Sequence, residues 1–270
     1  MYDLFNIKNK VIVITGGTGV LCSSMVKYLA AHGAKMAVLA RDKDKGGKLI
    51  DEVKADGGDA IFLQTNVTDE TLLKQNAEEI IRKYGRIDVL INGAGGNMPG
   101  ATIGPNNTIF DLNIDDFRKV VDVNLMGSVI PTIIFAKYMV ENKQGNIINI
   151  SSESALRPLT RVAGYGAAKA AVSNFTKYMA GEMAIKFGEN FRVNAMAPGF
   201  FITEQNRTLL TNPDGSYSDR GKSIIAHTPF RRFGVPEDLL GTLHYLVSDA
   251  SKFVTGTVAV VDGGFDAFSI

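Results

Sequence analysis

Residues 11–34 read VIVITGGTGVLCSSMVKYLAAHGA, and this stretch decides the fold. Val11–Ile14 is a continuous apolar run of the kind found in a strand covered on both faces. Gly16, Gly17 and Gly19 stand between that strand and the helix that follows. Glycines at such a turn let backbone N–H groups at the helix N-terminus meet a pyrophosphate. Read as G-x-G-x-x-G, the pattern is Gly17-Thr18-Gly19-Val20-Leu21-Cys22. The small Cys22 takes the place of the last glycine, which serves helix–strand packing. A plain tight turn is the alternative reading, but a position after a first strand and at the opening of a helix points to a dinucleotide site.

Further apolar runs lie at Lys35–Leu39, Ala60–Leu63, Ile87–Ile91, Asn146–Ile150, Arg192–Ala195 and Val258–Val261, with helical patterns between them. Alternating β and α units predict a doubly wound, Rossmann-type α/β fold. We expect one domain over residues 1–270, with a seven-stranded parallel sheet and helices on both faces. The chain has 270 residues, 45% hydrophobic and 21% charged, enough for one sizeable core. A net charge of +1 with scattered Lys and Arg argues against nucleic acid or a membrane surface as partner. The single cysteine, Cys22, excludes an internal disulfide and fits a reducing compartment. MYDLFNIKNK at the N-terminus has no signal-peptide core, and no apolar run reaches spanning length, so a cytoplasmic protein is expected. No His/Cys/Glu cluster has metal-ligand spacing, so no metal is expected. The one long irregular stretch, about 200–232, is polar and rich in Gly and Pro; a segment of this kind predicts a lid over a substrate.

The ends of the strands carry the candidate cofactor contacts. After the second strand come Ala40, Arg41 and Asp42. In this fold an acid here binds the ribose 2′-OH of NAD, and an Arg accommodates the 2′-phosphate of NADP. Ala40 leaves the first role empty and Arg41 suits the second, so NADP is favoured over NAD; Asp42 serves the ribose or caps the next helix. After the third strand, Asn66-Val67 borders the place of an adenine, with Asn66 either accepting from its amino group or acting as a turn residue. Thr68 is expected to cap the next helix. The fourth strand ends in Asn92-Gly93-Ala94-Gly95, small enough for backbone to lie along the cofactor. Asn113 or Asp115 opens a helix through Asn124, which sits among apolar residues and needs partners, either as a core amide or as an anchor for water.

The chemistry concentrates in Asn146–Lys169, NIINISSESALRPLTRVAGYGAAK. A buried strand leads to Ser151-Ser152, and the following helix carries Tyr165 and Lys169. Four residues apart, both project from one helix face. An ammonium beside a phenol favours the phenolate and lowers its pKa, and a hydroxyl at the strand end can join them around one substrate oxygen.

With Gly16–Gly19, Asn92-Gly93-Ala94-Gly95, Asn124, Ser152, Tyr165-x-x-x-Lys169 and Pro198-Gly199 in order, the sequence resembles the short-chain dehydrogenase/reductase family. The resemblance runs on to Val254-Thr255-Gly256 and Val261-Asp262-Gly263-Gly264. It implies that Tyr165 is the general acid/base and that Lys169 lowers its pKa and holds the nicotinamide ribose. It further implies that Ser152 binds the substrate oxygen and that Asn124 holds a relay water. Pro198, Gly199 and Thr203 would receive the nicotinamide. Cys22 and Gly93 depart from the family pattern, where a third glycine and N-N-A-G are common.

Within the family, the phrases Asn92–Pro99, Ala197–Arg207, Ala226–Pro229 and Arg232–Gly234 look like the D-mannonate oxidoreductase (fructuronate reductase) group. Members of that group commonly have an acid where this chain has Ala40. The resemblance thus implies hydride transfer between NADP or NAD and a ketone or secondary alcohol of a small molecule, a sugar acid. Another reductase of the family, or a non-catalytic dinucleotide sensor, is the alternative. A sugar acid needs a carboxylate site, for which Arg157, Arg161, Arg207, Arg231 and Arg232 are candidates. Asn97, Glu153, Gln205, Asn206 and His227 are candidates for hydroxyls. The family also implies a homo-oligomer, dimer or tetramer; the apolar faces of the helices at 113–140 and 163–187 are the candidate contact surfaces, with burial inside the monomer as the alternative account. The tail 265–270 is a further candidate for packing on a neighbour.

Overall fold

In a computed structural model, which describes residues 3–204 and 206–267, the apolar runs become seven strands. They are β1 (Val11–Thr15), β2 (Lys35–Ala40), β3 (Asp59–Gln64), β4 (Val89–Asn92), β5 (Gly145–Ile150), β6 (Phe191–Pro198) and β7 (Val258–Val261). All pair in parallel, in the order β3-β2-β1-β4-β5-β6-β7. The crossovers are α1 (Val20–Ala31), α2 (Lys43–Ala55), α3 (Glu70–Tyr84), α4 (Ile114–Val121) with α5 (Gly127–Glu141), and α6 (Ala163–Phe187). After β6 come α7 (Arg207–Leu210), α8 (Asp219–His227) and α9 (Leu240–Val247). This is the expected doubly wound Rossmann architecture.

Strand periodicity divides the core into two layers. Ile12, Ile14, Met36 and Val38 face α1, α2 and α9, while Val11, Val13, Ala37 and Leu39 face α3, α5 and α6. Both faces are covered, which is why these strands read as unbroken apolar runs. Fully buried side chains such as Leu29, Leu90 and Phe135 each contribute about 1.5–3 kcal/mol by leaving water. The strand β4 starts later than its apolar run, because the Asp88 carboxylate accepts a bond from Val11 N at 2.8 Å and pairs with Arg86.

Two helix starts sharpen the sequence reading. Asn113 caps α4 by accepting from Asp116 N at 2.9 Å. Asp69, not Thr68, caps α3; the Thr68 hydroxyl is turned back onto Asn66 Oδ1 at 3.0 Å.

A turn of π-helix, Asp122–Met126, joins α4 to α5, so that Ile114–Glu141 is one continuous 28-residue helix. An 18-residue window of that run has a mean hydropathy of 1.5, enough to cross a membrane by length and composition. Half of that window is buried within the protein: Ile134, Phe135 and Met139 of α5 pack on the sheet. Its apolarity answers to the core.

The 200–232 stretch is also more ordered than its composition implies. Phe201 bridges to Gly234, α7 and α8 form a short helical pair, and Leu210, Ile224 and Phe233 make a small core with Phe200, Ile202 and Ile225.

Candidate active site

The strand order reverses between β1 and β4, the place where open α/β sheets bind ligands at the C-terminal strand ends. Thr15 Oγ1 ties the two strands together there, accepting from Gly93 N at 3.1 Å and Ala94 N at 3.2 Å. Gly16 has φ +66, and a Cβ on it would stand 2.7 Å from Ala94 Cα, so only glycine fits. Gly19 caps α1 without a side-chain bond to the first turn, leaving N–H groups of Val20 and Leu21 to an anion. Thr18 lies between the glycines. This bare backbone cradle suits a dinucleotide pyrophosphate. Cys22 fills the space behind it, with Sγ 3.9 Å from Gly93 O.

At the end of β2, Asp42 is committed as the α2 cap: its carboxylate accepts from Asp44 N at 3.1 Å and Lys45 N at 3.0 Å. Of the two readings of Asp42, the cap is the one realised. Arg41 is exposed beside it, its carbonyl held by Gln64 Nε2 at 3.1 Å. Asn66 Oδ1 takes the Thr68 N–H at 3.3 Å as well as its hydroxyl, so the turn reading describes Asn66. Val67 is buried and packs on Gly127. Asn92 is not at the cofactor surface. It is fully buried, donating to Thr132 Oγ1 at 2.9 Å and Asn149 Oδ1 at 2.8 Å, so it braces β4 against α5 and β5. Gly93, Ala94 and Gly95 continue along the cleft.

The catalytic candidates converge around the β5 end. Ser151 Oγ contacts Ser173 Oγ at 2.6 Å and donates to Lys169 O at 3.3 Å, fixing α6 against β5. Lys169 is buried and donates from Nζ to Ile150 O at 2.7 Å. Its Nζ is 5.6 Å from the centre of the Tyr165 ring. A Cβ on Gly95 would lie 2.6 Å from Asn124 Oδ1 and 3.3 Å from Lys169 Nζ, which places these three residues side by side.

Asn124 is fully buried in the π turn, a widened turn frequent at functional sites. Its Nδ2 donates to Gly96 O at 2.6 Å and Val120 O at 2.8 Å, and its Oδ1 accepts from Gly96 N at 3.2 Å. The amide therefore clamps the β4 loop. Ser152 Oγ accepts from Ser154 Oγ at 3.0 Å.

The titration of the pair departs from expectation. Burial holds the Tyr165 phenol above its ordinary value, against a downward pull from its bond with Ser152. Burial also brings Lys169 down to about 8. The lysine spends its ammonium on the Ile150 carbonyl instead of the phenol, so in the protein alone it does not lower Tyr165.

The substrate candidates divide. Asn97 is used within its own loop, donating to Thr102 Oγ1 at 2.9 Å and accepting from Met98 N at 3.0 Å. Arg157 is taken by the tail, with Nε 2.6 Å from Asp266 Oδ1. Arg232 pairs twice with Asp238, at 2.5 and 2.9 Å. Arg231 bonds Ala226 O, and His227 Nδ1 meets Ser223 O of its own helix at 2.8 Å. Asn206 pins the lid turn, bonding Thr203 N at 2.7 Å and Phe201 O at 2.8 Å. Gln205 and residues 268–270 lie outside the described residues. Arg207 is exposed on α7.

Glu153 is not on an open wall: it is 1% exposed, and neither carboxylate oxygen has a described hydrogen-bond partner. Burial, helped by Asp266 and Asp262 and opposed by Arg157, raises its pKa to about 7. Pro198 ends β6 and Gly199 turns against Asp262, where a Cβ would be 2.6 Å from the Asp262 Cβ. Thr203 follows at the head of the lid. Sequence reasoning missed Thr15 and Ser151, whose hydroxyls hold the site's strands in place; a polar residue ending an apolar strand was the available signal. Among the described residues, no group of three or more His, Cys, Asp or Glu is placed to hold a metal.

Known proteins resemble this chain in sequence and fold. The family model for short chain dehydrogenases covers residues 10–214. An uncharacterised oxidoreductase of Bacillus subtilis (strain 168), UxuB, is 45% identical over 98% of this chain and 97% of its own. A solved structure of a proposed D-mannonate oxidoreductase from Haemophilus influenzae with bound NAD is 42% identical, with a TM-score of 0.91 over 98% of this chain and 97% of that one. A gluconate 5-dehydrogenase from Burkholderia cenocepacia in complex with NADP and tartrate is 29% identical, with a TM-score of 0.87 over 99% of each chain.

Proposed function

The chain belongs to the short chain dehydrogenase family, and from that premise we propose a sugar-acid oxidoreductase of the D-mannonate/D-fructuronate kind. It is an NAD(P)-dependent oxidoreductase acting on CH–OH groups. The sugar-acid reading is carried by the likeness to the Haemophilus influenzae protein at 42% identity over nearly the whole chain.

A bound nicotinamide dinucleotide supplies or accepts the hydride. The residues that suit it are Gly16, Gly17, Thr18, Gly19, Val20 and Leu21 for the phosphates and Arg41 and Val67 toward the adenosine. Gly93–Gly95, Tyr165, Lys169, Pro198, Gly199 and Thr203 suit the nicotinamide half. In reduction Tyr165 gives its proton to the developing alkoxide while Ser152 donates a hydrogen bond to the same oxygen. In oxidation Tyr165 takes the proton back. Lys169 holds the ribose, and Asn124 keeps the β4 loop beside Lys169 and anchors the relay water.

NADP is the favoured cofactor. Asp42 is spent as a helix cap, and Arg41, which pairs with no acid among the described residues, suits a 2′-phosphate. The protein works in the cytoplasm as a homo-oligomer, dimer or tetramer. Ile114, Ile133, Tyr178 and Ile185 are exposed apolar residues on the helices that would meet.

A screen of hexonates, hexuronates and neutral ketones, following NAD(P)H absorbance, tests the reading. Turnover of D-mannonate or D-fructuronate at least about tenfold above the other substrates is the expected result. Preference for a neutral ketone would overturn the substrate class. Preference for gluconate would favour the second reading, a gluconate 5-dehydrogenase, which the likeness to the Burkholderia cenocepacia protein supports.

A further inference from the structure

The fold brings Arg161 and Arg220 to one place, and neither has an acidic partner among the described residues. Arg220 on α8 reaches the loop between Ser152 and Tyr165, donating from Nη1 to Thr160 Oγ1 at 2.9 Å and from Nη2 to Thr160 O at 3.2 Å. Arg161 is the next residue in that loop, four positions before Tyr165, and is half-buried like Arg220. Its carbonyl accepts from Ile103 N at 3.0 Å. Three walls therefore meet at this point: the β4 loop, the Ser152–Tyr165 loop and the lid helix. Arg161 also has φ +77, a left-handed backbone that an L side chain rarely adopts without a reason.

Among the described residues neither guanidinium has a carboxylate partner, whereas Arg157 and Arg232 each have one. Burial and the charge of Arg161 both hold Arg220 below its ordinary pKa. Two like charges in a half-buried site repel unless an anion lies between them. The cofactor's phosphates do not supply that anion, because their cradle and Arg41 lie at the β1 and β2 ends, across β4 and β5 from this loop.

We propose that Arg161 and Arg220 together clamp the carboxylate of the substrate, one fork from the loop beside Tyr165 and one from the lid. The proposal rests on the sugar-acid reading above and adds the residues that would impose it. Because Arg220 also binds Thr160, the same contact ties the lid helix to the loop that holds the acid/base. Guanidinium is suited to the role by its planar, bidentate donor geometry.

The test uses the full-length enzyme with Arg161→Asn, which suits a left-handed backbone, Arg220→Gln, which keeps an amide for Thr160, and the double variant. Arg220→Lys keeps the charge without the fork. For each, kcat/KM is measured on a hexonate and on the corresponding neutral hexitol, and tartrate binding is measured by calorimetry. Each single variant should lose about thirtyfold more kcat/KM on the hexonate than on the hexitol, the double more than either, and Arg220→Lys should lie between. Tartrate binding should weaken by a similar factor. Equal losses on both substrates, or unchanged tartrate binding, would overturn the clamp even if hexonates are the preferred substrates. If the wild type ignores hexonates yet binds tartrate through these two arginines, the clamp stands and the sugar-acid reading falls. Should Arg220→Gln fail to fold, Arg161→Asn alone decides.

Discussion

Cys22 and the missing side chain of Gly93 occupy the same space. A Cβ on Gly93 would run into the Cys22 Sγ and stand 2.8 Å from Thr15 O. The family pattern has a glycine in the first place and an asparagine in the second, so the chain's two departures are one packing arrangement behind the phosphate cradle. Gly93→Asn is expected to destabilise the protein by about 1–3 kcal/mol through overpacking. Adding Cys22→Gly should recover part of that loss, with a coupling of at least about 0.5 kcal/mol in a thermal-denaturation cycle. Strictly additive effects would separate the two positions. Burial pushes the thiol up to about 12, so the native protein should resist alkylation until it unfolds.

Tyr165→Phe should reduce kcat by about a thousandfold, the scale of one lost acid/base group. The ring stays, so NAD(P)H should bind at wild-type strength in a fluorescence titration. Turnover close to wild type would remove Tyr165 from the proton transfer.

Glu153 should make stability depend on pH. Its carboxyl titrates near 4.5 when unfolded and at about 7 when folded, raised chiefly by burial. Below about 4.5 both states are protonated. Between 4.5 and 7 the unfolded chain releases its proton while the native protein keeps it, so stability falls as pH rises through this window and levels off above it. The full shift corresponds to about 3 kcal/mol. Glu153→Gln should flatten that slope in urea denaturation at pH near 5 and near 8. An unchanged pH profile would mean that the buried carboxylate finds a partner in solution.

Arg41→Asp should lower the ratio of kcat/KM for NADP over NAD by about tenfold or more, as an acid at the ribose end replaces a cation. Asp42→Ala is the contrast: it removes the α2 cap and should cost about 1 kcal/mol of stability while leaving the ratio alone. A shift in cofactor ratio with Asp42→Ala would return Asp42 to the ribose.

The strands were legible because a sheet covered on both faces is written as apolar runs, and Val11–Ile14, buried throughout, can be read directly from its apolar residues. The parallel, doubly wound arrangement followed from the alternation of elements, whereas the order of the strands came from the structure. Side-chain allegiance was not legible. Asn92 looked like a cofactor residue because it precedes Gly93, but its amide points into the core toward Asn149, a partner 57 residues away. Arg157 looked available because Asp266 lies 109 residues later in the chain. The spacing set Tyr165 and Lys169 four residues apart, yet the direction of the phenol's pKa is decided by burial, with Ser152 pulling the other way, and spacing encodes neither.

The π turn at Asp122–Met126 has a consequence for the whole 28-residue helix. A widened turn takes in one residue more than an α turn, and one residue corresponds to about 100° of rotation. The rods α4 and α5 are therefore out of phase, like two gears meshed one tooth apart. Deleting a single residue between Asp122 and Met126 would restore an unbroken α-helix and leave its length almost unchanged. It would also force a choice: either α5 keeps Phe135 in the core and α4 turns away from its partners, or Asn124 swings off the Gly95–Gly96 loop. Core and site are indexed to each other by that one additional residue.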